Sequence, residues 1–389
     1  MPELRTIDSQ DCWVLESNCV QAAVTKLGGM LGPVNFELDQ GKTAQPYWIS
    51  PWQGEQGAPT EGLLSPMRGD FFCLPFGIHN EYKHHTFPVH GYTAAEPWER
   101  ISRESLSPKA HELQLQIKVP GMSRGHLATV TKRIILRDNE TVIYSQHEIV
   151  GWNGPATIGH HATLNPGEKP DSMLLSTAPF AFGVTQSNPP MYNRSGEYSA
   201  LAPDALFDSL HEVPSIWNAP SKVDCSSFPT RKGYCDILTL FARHREPGTT
   251  MTPHWTAAVF PDQGFLWFAL KNPRILPATV IWSENRGRHS HPWNGRTVCV
   301  GLEDVCGYGA SGLSGSVGDN LARRKGIATS LNLNGDTPFI VNYIQGILAI
   351  PPGFDRVSEV AFSPNGAEFR SESGKTAASS FNVNFVMES

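Results

Sequence analysis

No Cys-x-x-Cys pair occurs in this chain of 389 residues, and its cysteines number seven: Cys12, Cys19, Cys73, Cys225, Cys235, Cys299 and Cys306. An odd count at such spacings points away from a zinc knuckle or a disulfide framework, and predicts small core residues in a reducing compartment. Basic blocks are also missing. The densest cationic run is Arg323-Arg324-Lys325 within a net charge of −6, so no electrostatic footprint for nucleic acid is visible. No apolar run approaches the ~18 residues of a membrane span. Met1-Pro2-Glu3-Leu4-Arg5-Thr6 lacks the charged-then-apolar pattern of a signal peptide. The expectation is a cytoplasmic protein with neither nucleic acid nor membrane as partner.

Amphipathic helices are equally scarce, the best candidate being a short one at Asn320-Leu321-Ala322-Arg323-Arg324. No repeat of fixed period occurs, which argues against a propeller. Residues 309 to 320 are Gly/Ser-rich and read as a loop, and no Pro/Ser linker divides the chain. Glycine and proline are plentiful instead, 35 and 31 residues, or about 17% together against roughly 12% in average usage. Both break helices and punctuate turns, so the excess predicts many short strands. The dominant period is two. Glu112 to Val119 alternates polar and apolar without a fault, and residues 127 to 136 and 141 to 150 follow, joined through Arg137-Asp138-Asn139-Glu140 as a hairpin turn. Further runs lie at 235 to 242, 255 to 260, 265 to 270, 278 to 283, 297 to 302, 339 to 343 and 346 to 350. The fold predicted is all-β: one large antiparallel β-sandwich domain spanning residues 1–389, with few short helices.

Three places carry candidate chemistry. His160-His161-Ala162-Thr163-Leu164-Asn165-Pro166 follows a strand-like run, His90 lies in Val89-His90-Gly91-Tyr92, and Glu303 closes Thr297-Val298-Cys299-Val300-Gly301-Leu302-Glu303. Two imidazoles and a carboxylate at strand ends can transfer protons at neutral pH. Neighbouring residues of a strand point to opposite faces, so only one of His160 and His161 can face a pocket; a one-residue slip in register exchanges them.

Five segments, in order from residue 28 to about 303, resemble the aldose 1-epimerase (galactose mutarotase-like) family. They are Gly28-Gly29-Met30-Leu31 with Val34-Asn35-Phe36; Met67-Arg68-Gly69-Asp70-Phe71 with Leu74-Pro75-Phe76-Gly77; His90-Gly91 with Trp98; His161-Ala162-Thr163-Leu164-Asn165; and Val298 to Glu303. The resemblance implies a galactose mutarotase-like supersandwich and a cofactor-free, metal-free isomerase with a small-molecule sugar as substrate. It assigns Glu303 as base, His161 as acid, and His90 as a group holding the substrate near the ring oxygen. Arg68 would bind a hydroxyl, and Asp236, in Gly233-Tyr234-Cys235-Asp236-Ile237, would grip distal hydroxyls, although Cys235 could equally occupy that position. His160 stands as the alternative pocket histidine. Two departures are visible: Thr163-Leu164 replaces the usual Tyr-Phe, and Gly301-Leu302 precedes the glutamate. They leave room for a changed substrate or lost activity.

Each residue also has a structural reading. Glu303 beside Asp304 could be a solvated turn, Arg68 could pair with Asp70, and the histidines could be ordinary core or surface groups. His79, His84, His85, His90 and the later Glu96 loosely suggest a cupin-like metal site, but lack two histidines two apart on one strand. Trp48, Trp52, Trp98, Trp217 and Trp282 could offer stacking faces to a sugar, and Arg68, Arg286 and Arg288 could meet a phosphate. Three readings follow: a mutarotase, a non-catalytic carbohydrate-binding sandwich, and a metal-dependent cupin-like sugar isomerase.

Overall fold

Strands dominate the computed structural model of this chain, which describes residues 4–38, 41–101, 110–123, 125–186, 198–243 and 251–388. Two large antiparallel sheets carry the architecture. The front sheet has seven strands in the order Leu206–Phe207, Phe180–Thr185, Tyr234–Ala242, Ala278–Asn285, Val298–Cys306, Ile158–Leu164, Phe72–Cys73. The back sheet has nine, running from Ser227–Phe228 through Met173–Thr177, His254–Phe260, Phe265–Lys271, Phe339–Ala349, Val142–Val150, Leu127–Arg137 and Ala110–Pro120 to Glu99–Arg100. A five-stranded sheet over residues 5–44 adds to the same core, and a three-stranded sheet over residues 357–380 covers the outside of the back sheet.

The alternation read from the sequence is the cause of this layering. In Ala110–Pro120, Leu113, Leu115, Ile117 and Val119 are buried while Gln116 and Lys118 face outward. On one front strand Val300, Leu302 and Cys306 enter the inter-sheet core, whereas Cys299, Gly301, Glu303 and Val305 point to the opposite face. The hairpin forms at Asp138-Asn139 as expected, with Asn139 in the left-handed region that asparagine tolerates (φ 65).

Two expectations need correction. Residues 309 to 320 are not loop throughout, because Gly312–Val317 forms a short helix whose Ser316 hydroxyl donates back to Gly312 O at 2.7 Å. The runs at 339 to 343 and 346 to 350 are one continuous strand, Phe339–Ala349. Gly346 does not break it. A Cβ there would lie 2.8 Å from Thr141 O and 3.0 Å from the Phe268 ring, so glycine permits close packing. The short helix near residue 320 is present as Leu321–Arg324, capped by the Asn320 side chain accepting from Arg323 N at 3.0 Å.

Candidate active site

Strand register makes the site. Ile158–Leu164 pairs with Val298–Cys306 so that His161 lies directly opposite Glu303, and Glu303 in turn lies opposite Val280 on the next strand. These three share the outer face of the front sheet. His161 Nε2 stands 3.2 Å from Glu303 Oε1, and its Nδ1 meets the Thr163 hydroxyl at 3.1 Å from two residues along the same face. The Phe71 ring stacks on the imidazole at 4.5 Å, and His90 meets it edge-on at 4.8 Å. Gly301 leaves the necessary room: a Cβ there would sit 2.9 Å from Glu303 Oε1 and 3.3 Å from His161 Cε1.

Burial sets the protonation of this pair. With the carboxyl removed from water, Glu303 is pushed up to about 8, against a smaller downward pull from Arg288. Burial, with the neighbouring His90 and Arg288 adding to it, pushes His161 well below the ordinary histidine range. Both directions favour a protonated carboxyl beside a neutral imidazole. Glu303 then donates to Nε2, which leaves Nδ1–H to donate to Thr163 Oγ1. One proton is held between two groups able to exchange it.

The pair lies in a cavity of about 550 Å³ that His90, Gln186, Trp282, Arg288 and Trp293 also line. His90 is delivered by a turn in the left-handed region (φ 58), a conformation of order 1–3 kcal/mol above the relaxed backbone. Gly91 follows it so tightly against Leu74 that a Cβ would lie 2.1 Å from Leu74 O. Burial and then Arg288 push His90 down to about 3, so its ring is neutral; its Nδ1 is enclosed without a hydrogen-bond partner among the described residues. Arg288 arrives through a second sharp turn. Arg286 is left-handed (φ 64), and Gly287 is wedged where a Cβ would lie 2.2 Å from Cys235 N. The chain is thereby returned so that the Arg288 guanidinium lies 5.0 Å from the Trp282 ring and 4.8 Å from that of Trp293.

No family model matches the sequence, and no curated protein does. Solved structures do match. A galactose mutarotase-like protein from Clostridium acetobutylicum superposes with a TM-score of 0.56 at 10% identity, covering 89% of this chain and 97% of that one. A galactose 1-epimerase from Lactobacillus acidophilus gives a TM-score of 0.51 at 14% identity, with 90% and 98% covered. A galactose mutarotase related enzyme from the same organism gives 0.52 at 13%, with 87% and 97% covered. The fold is galactose mutarotase-like.

Within that galactose mutarotase-like fold, Glu303, His161 and His90 converge on the cavity, and the other three predicted site residues do not line it. His160 faces the inter-sheet core, where Nδ1 donates to Asp70 Oδ2 at 2.8 Å and the ring stacks on Tyr343 at 4.1 Å. The register therefore presents His161, not its neighbour, to the cavity. Arg68 is fully buried and donates to the backbone carbonyls of Pro66, Ile7 and Asp8 and to the Gln53 side chain. Its acidic neighbour is Asp8 at 4.0 Å rather than Asp70. Asp236 lies on the inner face, paired with Arg231 at 2.8 Å and accepting from Ser199 Oγ and Ala200 N. Cys235 faces outward but takes the Trp282 indole N–H at 3.2 Å.

Of the three arginines weighed for a phosphate only Arg288 lines the cavity, Arg286 being paired with Glu168 at 2.9 Å. Of the tryptophans considered as stacking faces only Trp282 does so, while Trp48 and Trp52 pack against Trp293. No local pattern in the sequence marks Trp293 or Gln186; they reach the cavity only through tertiary folding. Among the described residues no group of three or more His, Cys, Asp or Glu side chains is arranged to hold a metal. No helix of the described residues is long and apolar enough to cross a membrane.

Proposed function

We propose that this chain is an aldose 1-epimerase-type isomerase, a mutarotase that interconverts the α and β anomers of a sugar or sugar derivative without a cofactor. The observation carrying this reading is the Glu303–His161 contact of 3.2 Å on the wall of a cavity large enough for a sugar. Fold-level likeness to a galactose 1-epimerase supports it.

The reaction requires one proton to leave O1 and one to reach O5. The pair carries a single proton in either of two arrangements, as carboxylic acid and imidazole or as carboxylate and imidazolium. In the second, Glu303 accepts the O1 proton, the O1–H electrons form the C1=O bond, the C1–O5 bond breaks, and His161 gives its proton to O5. The open-chain aldehyde then faces a protonated Glu303 and a neutral His161, the arrangement that burial favours. Rotation about C1–C2 and the reverse transfers close the ring on the other face. Neutral His90 would hold the substrate beside O5. Positioned acid/base groups contribute on the order of 10²–10⁴ in rate.

Anomeric proton NMR on freshly dissolved sugars, with EDTA present, tests this. Accelerated exchange that falls by roughly 10²–10⁴ in Glu303→Gln and in His161→Ala is expected. Sugar binding with no acceleration would replace the isomerase by a binding sandwich, and loss of rate in EDTA would point to a metal.

A further inference from the structure

The cavity holds few partners for a sugar's hydroxyl groups. Apart from the acid/base set and indole N–H groups, its polar side chains among the described residues are Gln186, Arg288 and, at the mouth, the exposed Glu61. Ile237, Val280, Met67 and Leu64 make much of the remaining wall, and Trp282 has its N–H directed at Cys235. Arg68 and Asp236, the residues that would grip hydroxyls, are engaged inside the protein. Apolar surface also continues outward: Ile78 and Val89, both lining the cavity, are 40% and 37% exposed.

We propose that the substrate is a cyclic hemiacetal with a largely apolar body, most of its hydroxyls absent or masked, rather than a free hexose. This rests on the mutarotase reading, since the acid/base pair needs only O1 and the ring oxygen. Each buried hydroxyl left unpaired costs about 1–3 kcal/mol, so the hydroxyl groups of a hexose beyond O1 work against binding. Their replacement by apolar groups reverses the sign, because buried apolar area stabilises the complex by roughly 25 cal/mol per Å². Gln186 lines the cavity with Arg288, whose Nε is 3.6 Å from Glu284 Oε2, to orient an acceptor, and the rim accommodates an apolar substituent that projects from the mouth.

The test compares glucose with glucose methylated at every hydroxyl except the anomeric one, both added to the full chain. Binding is read by quenching of tryptophan fluorescence, to which Trp282 and Trp293 report, and anomer exchange is read separately by NMR. The methylated sugar is expected to bind at least about tenfold more tightly, the equivalent of one unpaired hydroxyl, and the rim variant Val89→Asp to weaken that binding. Glucose binding as tightly as its methylated form, or no binding of the methylated form at tens of millimolar, overturns the proposal. Preferential binding without faster exchange would retain the apolar ligand class and remove the mutarotase reading. Faster exchange with glucose preferred would do the reverse.

Discussion

Glu303 and His161 hold one proton between them because burial opposes charge on both. For the carboxyl, whose value rises from 4.5 to about 8, the proton is retained through neutral pH and lost above that value. Above it, the pair has a base and no acid. kcat/KM for anomer exchange should therefore fall as pH rises through about 8, and it should show no fall between pH 8 and pH 6, because His161 is held well below its ordinary range. A pH–rate profile checks the sign. Thr163 acts through His161 rather than on substrate. Removing its hydroxyl in Thr163→Val leaves Nδ1 unpaired, at about 1–3 kcal/mol. The expected result is kcat roughly 5- to 150-fold lower with KM little changed, restored in Thr163→Ser. An unchanged kcat would show that the 3.1 Å contact does not position the ring.

The strand Val298–Cys306 explains how much of the site was legible. Its parity sends Val300, Leu302 and Asp304 inward and Glu303 outward, but the run from Val298 to Leu302 is apolar throughout, so the sequence marks a strand ending in Glu303-Asp304 without marking which acid faces out. Which of His160 and His161 joins Glu303 depends on register between two strands far apart in sequence; the pairing of His161 with Glu303 decides it. Arg68 and Asp236 illustrate the limit. Each sits in a motif resembling a ligand site, yet the partners that hold them, the Ile7 and Asp8 carbonyls and Arg231, are fixed by loop geometry that no periodicity encodes. Arg288 reaches the cavity through the turn at Arg286-Gly287, equally invisible to a strand pattern. Gly301, read from the sequence only as a departure, has a steric role. In Gly301→Ala the new Cβ would crowd Glu303 and His161, so activity should drop at least tenfold, the equivalent of about 1–3 kcal/mol of overpacking, with circular dichroism unchanged. Full activity in that variant would mean the pair relaxes without consequence.

Between the two sheets runs a buried polar layer that belongs to the whole molecule. Asp304 accepts from Lys271 Nζ at 2.6 Å, from Thr279 Oγ1 at 2.7 Å and from Tyr343 OH at 2.8 Å, while Asp70 accepts from His160 and from Gln345 Nε2 at 2.9 Å. Breaking a buried pair leaves an uncompensated charge, so Lys271→Met should destabilise the protein by about 3–5 kcal/mol, and the double variant Lys271→Met/Asp304→Leu by less. Denaturant titration measures both. Stability also depends on pH through Glu303. Its folded value lies above its unfolded one, so its contribution is full below about 4.5 and is lost as pH rises to about 8. Glu303→Gln removes that loss: its Tm relative to the parent should be level near pH 4.5 and increasingly favourable towards pH 8.

The most direct measurement is anomer exchange at pH 7 in EDTA, on the tightest-binding sugar, for the parent and for Glu303→Gln with its fold and ligand binding verified. Exchange well above the solvent rate is expected in the parent, with a fall of roughly 10²–10⁴ in the variant while binding persists. Equal rates in the two proteins would contradict that expectation.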